Sequence, residues 1–288
     1  RSKGVTQDIL IRVSPEVDPH THVHTTTGIL DSKFGFPMGT GDAKQAVLDA
    51  LEASNLRLVG IHFHLGSPIF ELEPYVTAIE KVLAFASRFR EEGLELREFS
   101  PGGGFAIAYL RSQSPPTIAQ YAGTITGALL EGCETYGLER PRLLVEPGRA
   151  IVGPAAVAVY HVGAIKNIPG VRKYVSVDGG MGDNIRPALY DAKYEAVVAN
   201  RMDVQPSETV TIAGKYCESG DVLVRDVALP PVESGDIIAI PAAGAYSPSM
   251  ASNYNLNPLP AIVLVKDGKA RVIRRRQTYQ DMMSLDIE

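Results

Sequence analysis

The sequence predicts a parallel α/β half followed by a mainly antiparallel β half, and three observations carry that expectation. Up to about residue 150, short apolar runs alternate with longer segments of helical period, the mark of repeated βα units. After Gly153-Pro154 helical periodicity nearly disappears and short β-rich runs take over. Turn pairs such as Ser234-Gly235 and Asp267-Gly268 separate those runs, as hairpins require. The expected organisation is one domain over residues 1–153 and a second over 154–288, with no internal repeat and no low-complexity segment.

In the first half the apolar runs place strands over Ile9–Val13, Leu56–His64, Leu94–Phe99 and Arg142–Glu146. Between them the helical period places helices over Asp42–Ala53, with Asp42 as N-cap, over Pro74–Glu92, and over Pro116–Tyr136, opened by Pro-Pro-Thr. Four βα units in series imply a parallel sheet, and right-handed crossovers allow an open sheet or half of a barrel. In the second half the expected strands are Ala156–Ile165, Lys173–Val177, Ala196–Ala199, Thr209–Ala213, Asp236–Ile240, Ala261–Lys266 and Ala270–Arg274.

With 288 residues, 45% hydrophobic and 21% charged, the chain has ample apolar material for packed cores. Lys plus Arg number 28 against 33 for Asp plus Glu, a net charge of −5. The basic triplet Arg274-Arg275-Arg276 reads as a solvated strand end, so nucleic acid is not an expected partner. No apolar run approaches the roughly 18 residues of a membrane span, and the opening Arg-Ser-Lys-Gly-Val-Thr-Gln-Asp lacks the apolar core of a signal peptide. A cytoplasmic location without a membrane partner is the expectation. The two cysteines, Cys133 in a helical pattern and Cys217 in a turn-like one, make neither a disulfide framework nor a paired CxxC metal site. Cys217 lies in "GKYCESGD", among Lys215, Glu218, Ser219 and Asp221, a setting unlike that of a buried structural thiol.

The chemistry gathers where the parallel strands end. "GIHFHLGS" (60–67) puts His62 and His64 on one face of a strand and Ile61, Phe63 and Leu65 on the other, then runs into Gly66-Ser67. "FSPGGGF" (99–105) follows the next strand, and its glycine triplet can expose backbone N–H groups to an anion. "LVEPGRA" (144–150) sets Glu146 at a strand end with Arg149 three residues on. Each has an ordinary alternative: satisfied core histidines, a flexible loop, a surface ion pair. Together they supply a hydroxyl with histidines, an anion nest, and a carboxylate with a guanidinium, the layout of the C-terminal mouth of a parallel barrel. Phosphate binding by the glycine turn and Ser67 is the economical use of the nest, leaving Glu146 for another part of the same ligand.

Seven blocks, "TTTGILDSKFGF", "HFHLGS", "SPGGGFAIAY", "EPGRAIVG", "VDGGMGDNIRPALYDAKYEA", "GKYCESGDVL" and "GAYSPSMASNYNLNPLP", span nearly the whole chain. In this order they closely resemble the fold-type III pyridoxal-phosphate decarboxylases (the ornithine/lysine/arginine decarboxylase class-II family), and within them the diaminopimelate decarboxylases. The resemblance implies the C-terminal half of a parallel (β/α)8 TIM-like barrel of the alanine-racemase type, followed by a mainly antiparallel β domain. It implies pyridoxal 5'-phosphate as cofactor, with His64 stacked on the pyridine ring and Ser67, Gly102, Gly103, Gly104 and Tyr246 on the phosphate. Glu146 would face the pyridine nitrogen and keep it protonated, so that the ring accepts the electron pair released as CO₂ departs. Arg149, Arg186 and Tyr190 would meet substrate carboxylates, a task for which the planar guanidinium fork is suited. Glu218 would read the distal ammonium. Cys217 would reach the partner's site in a homodimer with shared active sites and supply the proton that replaces CO₂; a thiol gives and recovers a proton near neutral pH.

The implied activity is decarboxylation of meso-diaminopimelate to L-lysine, the last step of lysine biosynthesis. The family's Schiff-base lysine, in a Tyr-Ala-x-Lys-type context, is not found among the ten lysines. The chain is therefore expected to be a fragment lacking the first half of the barrel and the N-terminal β segment, about 130 residues by the size of a whole barrel, and inactive as written. The alternatives are a decarboxylase of a related substrate, carboxynorspermidine or a carrier-linked glutamate, and a lysine-less regulatory homologue without catalysis.

Overall fold

The apolar runs of the first half pair side by side in the computed structural model of the chain, which describes residues 3–18 and 33–287. The "TTTGILDS" part of the first block lies outside the described residues. The chain divides into two units, Arg1–Ile107 with Ser114–Ile151 and Ala108–Gln113 with Val152–Glu288.

In the first unit β1 (Gln7–Ser14), β2 (Phe36–Pro37), β3 (Leu56–His62), β4 (Glu98–Ser100) and β5 (Arg142–Leu143) form a sheet in the order β2-β1-β3-β4-β5. Every pair in it is parallel. Strand β2, missed in the sequence, contains Pro37 and sits at the sheet edge, where a residue without an N–H is tolerated. The strand expected from Leu94 begins only at Glu98, because the preceding backbone is still turning: Leu94 N bonds Phe89 O at 2.9 Å and Gly93 has φ +97°. At β5 the pairing covers only Arg142 and Leu143, then resumes as a parallel bridge between Gly103 and Glu146.

Three helices cover this sheet. Helix α1 (Asp42–Glu52) is capped by Gly41 rather than Asp42, which lies inside the first turn, where its charge faces the helix N-terminus. Helix α2 (Glu73–Ser87) stops short of the expected Glu92, as Arg88–Gly93 wind off in turns. Helix α3 (Ile118–Thr135) opens on a capping box in which Gln120 N donates to Thr117 Oγ1 and Thr117 N to Gln120 Oε1. A Cβ on Gly132 of α3 would stand 2.4 Å from Leu83 Cδ1 of α2, so glycine permits this close packing. The core joins Ile61, Phe63 and Phe99 to Ile79, Leu83 and Ile125 of the helices, with the Phe63 and Phe99 rings edge-to-face at 5.9 Å. A short helix α4 (Gly148–Val152) closes the unit.

The second unit contains β6 (Ala158–Ile168), β7 (Arg172–Val177), α5 (Arg186–Tyr190), β8 (Val197–Val198), β9 (Glu208–Ala213), β10 (Val222–Leu229) and β11 (Ile237–Ile240). Its six strands run in the order β10-β9-β7-β6-β11-β8. All pairs are antiparallel except β7 with β9. Strand β10 escaped the sequence reading because Arg225-Asp226 interrupts its apolar alternation, and at Asp226 the backbone has φ +51° with a register shift beside it. A separate hairpin of β12 (Ile262–Lys266) and β13 (Lys269–Arg274) turns at Asp267-Gly268, and α6 (Tyr279–Met282) follows it.

Two buried tyrosines of the first unit tie its helices to the loops after the strands. Tyr75 Oη of α2 donates to Gly103 O at 2.7 Å, and Tyr121 Oη of α3 donates to Ile69 O at 2.5 Å while accepting from Ala106 N at 3.1 Å. Replacing Tyr75→Phe deletes one hydroxyl and leaves a buried carbonyl unpaired. The expected loss is ~1–3 kcal/mol in urea unfolding with an unchanged m-value; an unaltered midpoint would show that the bond is dispensable.

Candidate active site

The ends of β3, β4 and β5 bring the first set of sequence-derived residues together. Ile61, Phe63 and Leu65 are fully buried, and His62 and His64 emerge on the other side. His64 Nδ1 accepts from Gly103 N at 3.2 Å, so the neutral imidazole carries its proton on Nε2. His62 Nε2 stands 3.2 Å from Glu146 Oε1. Arg149 Nε donates to Ser67 Oγ at 3.1 Å, and Arg149 is 7% exposed.

The glycine triplet differs in part from the sequence expectation. Gly102 N donates to Ser100 Oγ at 3.3 Å and Gly103 N to His64, so two of the three N–H groups face protein acceptors. The absence of side chains has a packing reason of its own. A Cβ on Gly103 would stand 2.0 Å from Glu146 O, and one on Gly104 2.3 Å from Gly66 O. Gly102 and Gly104 also have φ of +75° and +99°, where glycine is unstrained.

Arg12, not singled out in the sequence, belongs to this cluster. It pairs in register with His62 across β1 and β3, and its guanidinium lies 4.7 Å from the centre of the Phe34 ring. Its one sequence signal was an arginine within the apolar run "DILIRVS". Burial, then Arg12, push the His64 pKa down from its ordinary 6.5 to about 4 against the opposing pull of Glu146. His62 is lowered as well, chiefly by burial. Two neutral imidazoles thus sit between a guanidinium and a carboxylate.

The remaining sequence-derived residues lie in the second unit. Arg186 and Tyr190 share one face of α5 at i, i+4 spacing. Arg186 is 6% exposed; it donates to Tyr194 Oη and lies over the Tyr109 ring at 4.7 Å and the Tyr194 ring at 5.5 Å. Among the described residues it has no carboxylate partner. The two tyrosines were missed, although they stand in the blocks "SPGGGFAIAY" and "DAKYEA".

Cys217 is exposed and unbridged, whereas Cys133 is buried. Glu218 Oε2 accepts from Tyr254 Oη at 3.3 Å, and the Tyr254 ring meets Tyr216 edge-on at 5.6 Å. Among the described residues no hydrogen bond or ion pair joins Glu218 to Arg186. Tyr246 is half exposed at φ +64°, a backbone conformation rare for a residue with a side chain. Among the described residues no group of acids, histidines and cysteines could hold a metal ion.

Residues 2–153 match the family model of the pyridoxal-dependent decarboxylases, pyridoxal binding domain. The chain is 44% identical over 288 residues to diaminopimelate decarboxylase of Bacillus subtilis, covering 100% of itself and 66% of that protein. It is 44% identical over 283 residues to diaminopimelate decarboxylase of Synechocystis sp., covering 98% and 60%. Among solved structures, diaminopimelate decarboxylase from M. jannaschii in complex with L-lysine matches with a TM-score of 0.90 at 38% identity, over 100% of this chain and 65% of that one. The chain belongs to the pyridoxal-dependent decarboxylase family, and its fold is the C-terminal half of that family's parallel barrel with a mainly antiparallel β domain after it. It spans 66% and 60% of the lengths of these two curated relatives. No helix among the described residues is long and apolar enough to cross a membrane.

Family membership brings pyridoxal phosphate as cofactor. The donor set fits its non-covalent part: Ser67 and Arg149 offer a hydroxyl and a buried cation to an anion, His64 a neutral ring, and Glu146 a carboxylate for a protonated pyridine.

A lowered histidine pKa ties stability to pH. Between about 4 and 6.5 the unfolded chain binds the proton that folded His64 refuses, so this contribution is whole above pH 6.5 and is lost as pH falls towards 4. In His64→Asn the amide oxygen replaces Nδ1 as acceptor but does not titrate. Its stability should fall less steeply than wild type over that window, by roughly 3 kcal/mol in urea unfolding, with His62, Arg12 and Glu146 unchanged in both. Superimposable pH profiles would mean that His64 is accessible to protons when folded.

Proposed function

We propose that the full-length protein to which this chain belongs is a pyridoxal-phosphate-dependent carboxy-lyase that converts meso-diaminopimelate to L-lysine as a homodimer with shared active sites, residues 1–153 and 154–288 serving as part of its cofactor-binding barrel and as its β-rich domain. The observation that carries the substrate assignment is Arg186, a buried guanidinium supported by two tyrosines and lacking a carboxylate partner among the described residues. A cation so placed is costly unless an anion completes it, and a distal substrate carboxylate is such an anion. The named relatives, and the L-lysine bound to the M. jannaschii enzyme, support the same reading.

When bound, pyridoxal phosphate supplies the electron sink for loss of CO₂. His64 presents its uncharged ring to the pyridine face, held in one tautomer by Gly103 N–H. Glu146 holds the proton on the pyridine nitrogen. Ser67, Gly104 and Tyr246 bind the phosphate with Gly102 and Gly103, whose part is to shape the turn. Arg149, Arg186 and Tyr190 orient the substrate carboxylates, and Glu218, steadied by Tyr254, pairs with the distal ammonium. Cys217 delivers a proton from its Sγ to the carbon that has lost the carboxylate. A cytoplasmic setting suits both the free thiol and this metabolic role.

Arg186→Ala should cost ~2–5 kcal/mol in kcat/KM for meso-diaminopimelate, followed by CO₂ release, and far less for lysine or ornithine, which lack the distal carboxylate. Equal losses on all three substrates would make Arg186 structural and remove the support for this substrate.

A further inference from the structure

We infer that Asp221 is a positioning residue: its buried carboxylate clamps the turn bearing Cys217 and Glu218 onto the Gly179–Met181 loop that leads into the helix of Arg186. The inference rests on the reading of Cys217, Glu218 and Arg186 as active-site groups, and its geometry is independent of that reading. Asp221 is 3% exposed. Its Oδ1 accepts from Met181 N at 2.6 Å and its Oδ2 from Tyr216 N at 2.8 Å, so each oxygen holds a different segment.

The turn closes on the same residue through the backbone. Gly214 N donates to Asp221 O at 2.9 Å, Asp221 N to Glu218 O at 3.0 Å, and Glu218 N to Tyr216 O at 2.8 Å. Lys215 N adds a bond to Gly179 O at 3.0 Å, linking turn and loop directly. Two glycines make room for the carboxylate: a Cβ on Gly214 would stand 2.2 Å from Oδ2, and one on Gly180 2.5 Å from Oδ1. Burial raises the Asp221 pKa, and its bonds to Tyr216 N and Met181 N oppose that rise. A fold that keeps an acid here against desolvation, with glycines on both sides, holds two loops that few apolar contacts could fix. Cys217 itself is exposed, and among the described residues the Glu218 side chain has a single long bond, from Tyr254, so the orientation of both depends on the backbone that Asp221 fixes.

Hydrogen–deuterium exchange with peptide mass spectrometry tests the clamp in the purified protein without reference to activity. Asp221→Ala should raise exchange at least tenfold in peptides covering 178–184 and 214–221, leaving β9 and β10 protected. Asp221→Asn, which keeps one acceptor oxygen, should lie between. Gly214→Ala, which pushes a methyl into the carboxylate, should reproduce the effect with Asp221 intact and serves if Asp221→Ala does not fold. In the full-length protein with meso-diaminopimelate, kcat should fall tenfold or more in Asp221→Ala and recover in part in Asp221→Asn, while affinity for pyridoxal phosphate stays within twofold of wild type. Unchanged exchange in either peptide, or deprotection spreading through β9 and β10, would overturn the clamp. If the full-length wild type releases no CO₂ from meso-diaminopimelate the proposed function fails, and the exchange comparison still decides whether the clamp exists.

Discussion

The cofactor half of the site depends on one backbone approach. Strands β4 and β5 pair over only two residues each, and their loops are held together beyond that by the bridge of Gly103 with Glu146, where any side chain on residue 103 would strike the Glu146 carbonyl. From this point Glu146 reaches His62, Gly103 N–H orients His64, and Gly103 O receives the Tyr75 hydroxyl from the helix layer. The glycine turn is thus a joint between strand ends, where His64, Gly103 and Glu146 from three separate stretches of chain meet.

The two units handle buried charge differently. Beside Glu146 the histidines are kept neutral by burial and by Arg12, so the carboxylate is the anionic feature among them. In the second unit Arg201 pairs with Asp236, Arg172 with Asp226, and Lys173 with Glu208. Arg186, as deeply buried as any residue of its kind, rests instead on tyrosine rings. Among the described residues those three cations have acid partners and Arg186 has none. Aromatic faces stabilise a cation without neutralising it, which preserves its attraction for a carboxylate.

Much of this was legible in the sequence, because the signals were local. The parallel order of β1, β3, β4 and β5 followed from alternating apolar runs and helical segments, and the faces of His62 and His64 from strand periodicity. The boundaries that failed were decided by backbone turning that composition does not register: Asp42 one residue inside its helix, the winding of Arg88–Gly93, the late start of β4. Strand β10 was hidden by the charged pair at Arg225-Asp226. At the site, residue types with obvious chemistry were found, and those that act by holding others were not. Tyr75, Arg12 and Asp221 become meaningful only when Gly103, His62 and Met181, distant in sequence, arrive beside them.

The central claim is that these groups serve decarboxylation of a substrate with a carboxylate at its far end, and product analysis tests it most directly. The purified full-length protein would be incubated with pyridoxal phosphate and meso-diaminopimelate in D₂O, and the products followed by mass spectrometry. The account predicts CO₂ and L-lysine in equal amounts, with one deuteron on the carbon that lost its carboxylate. Turnover of lysine or ornithine with meso-diaminopimelate left intact would contradict it.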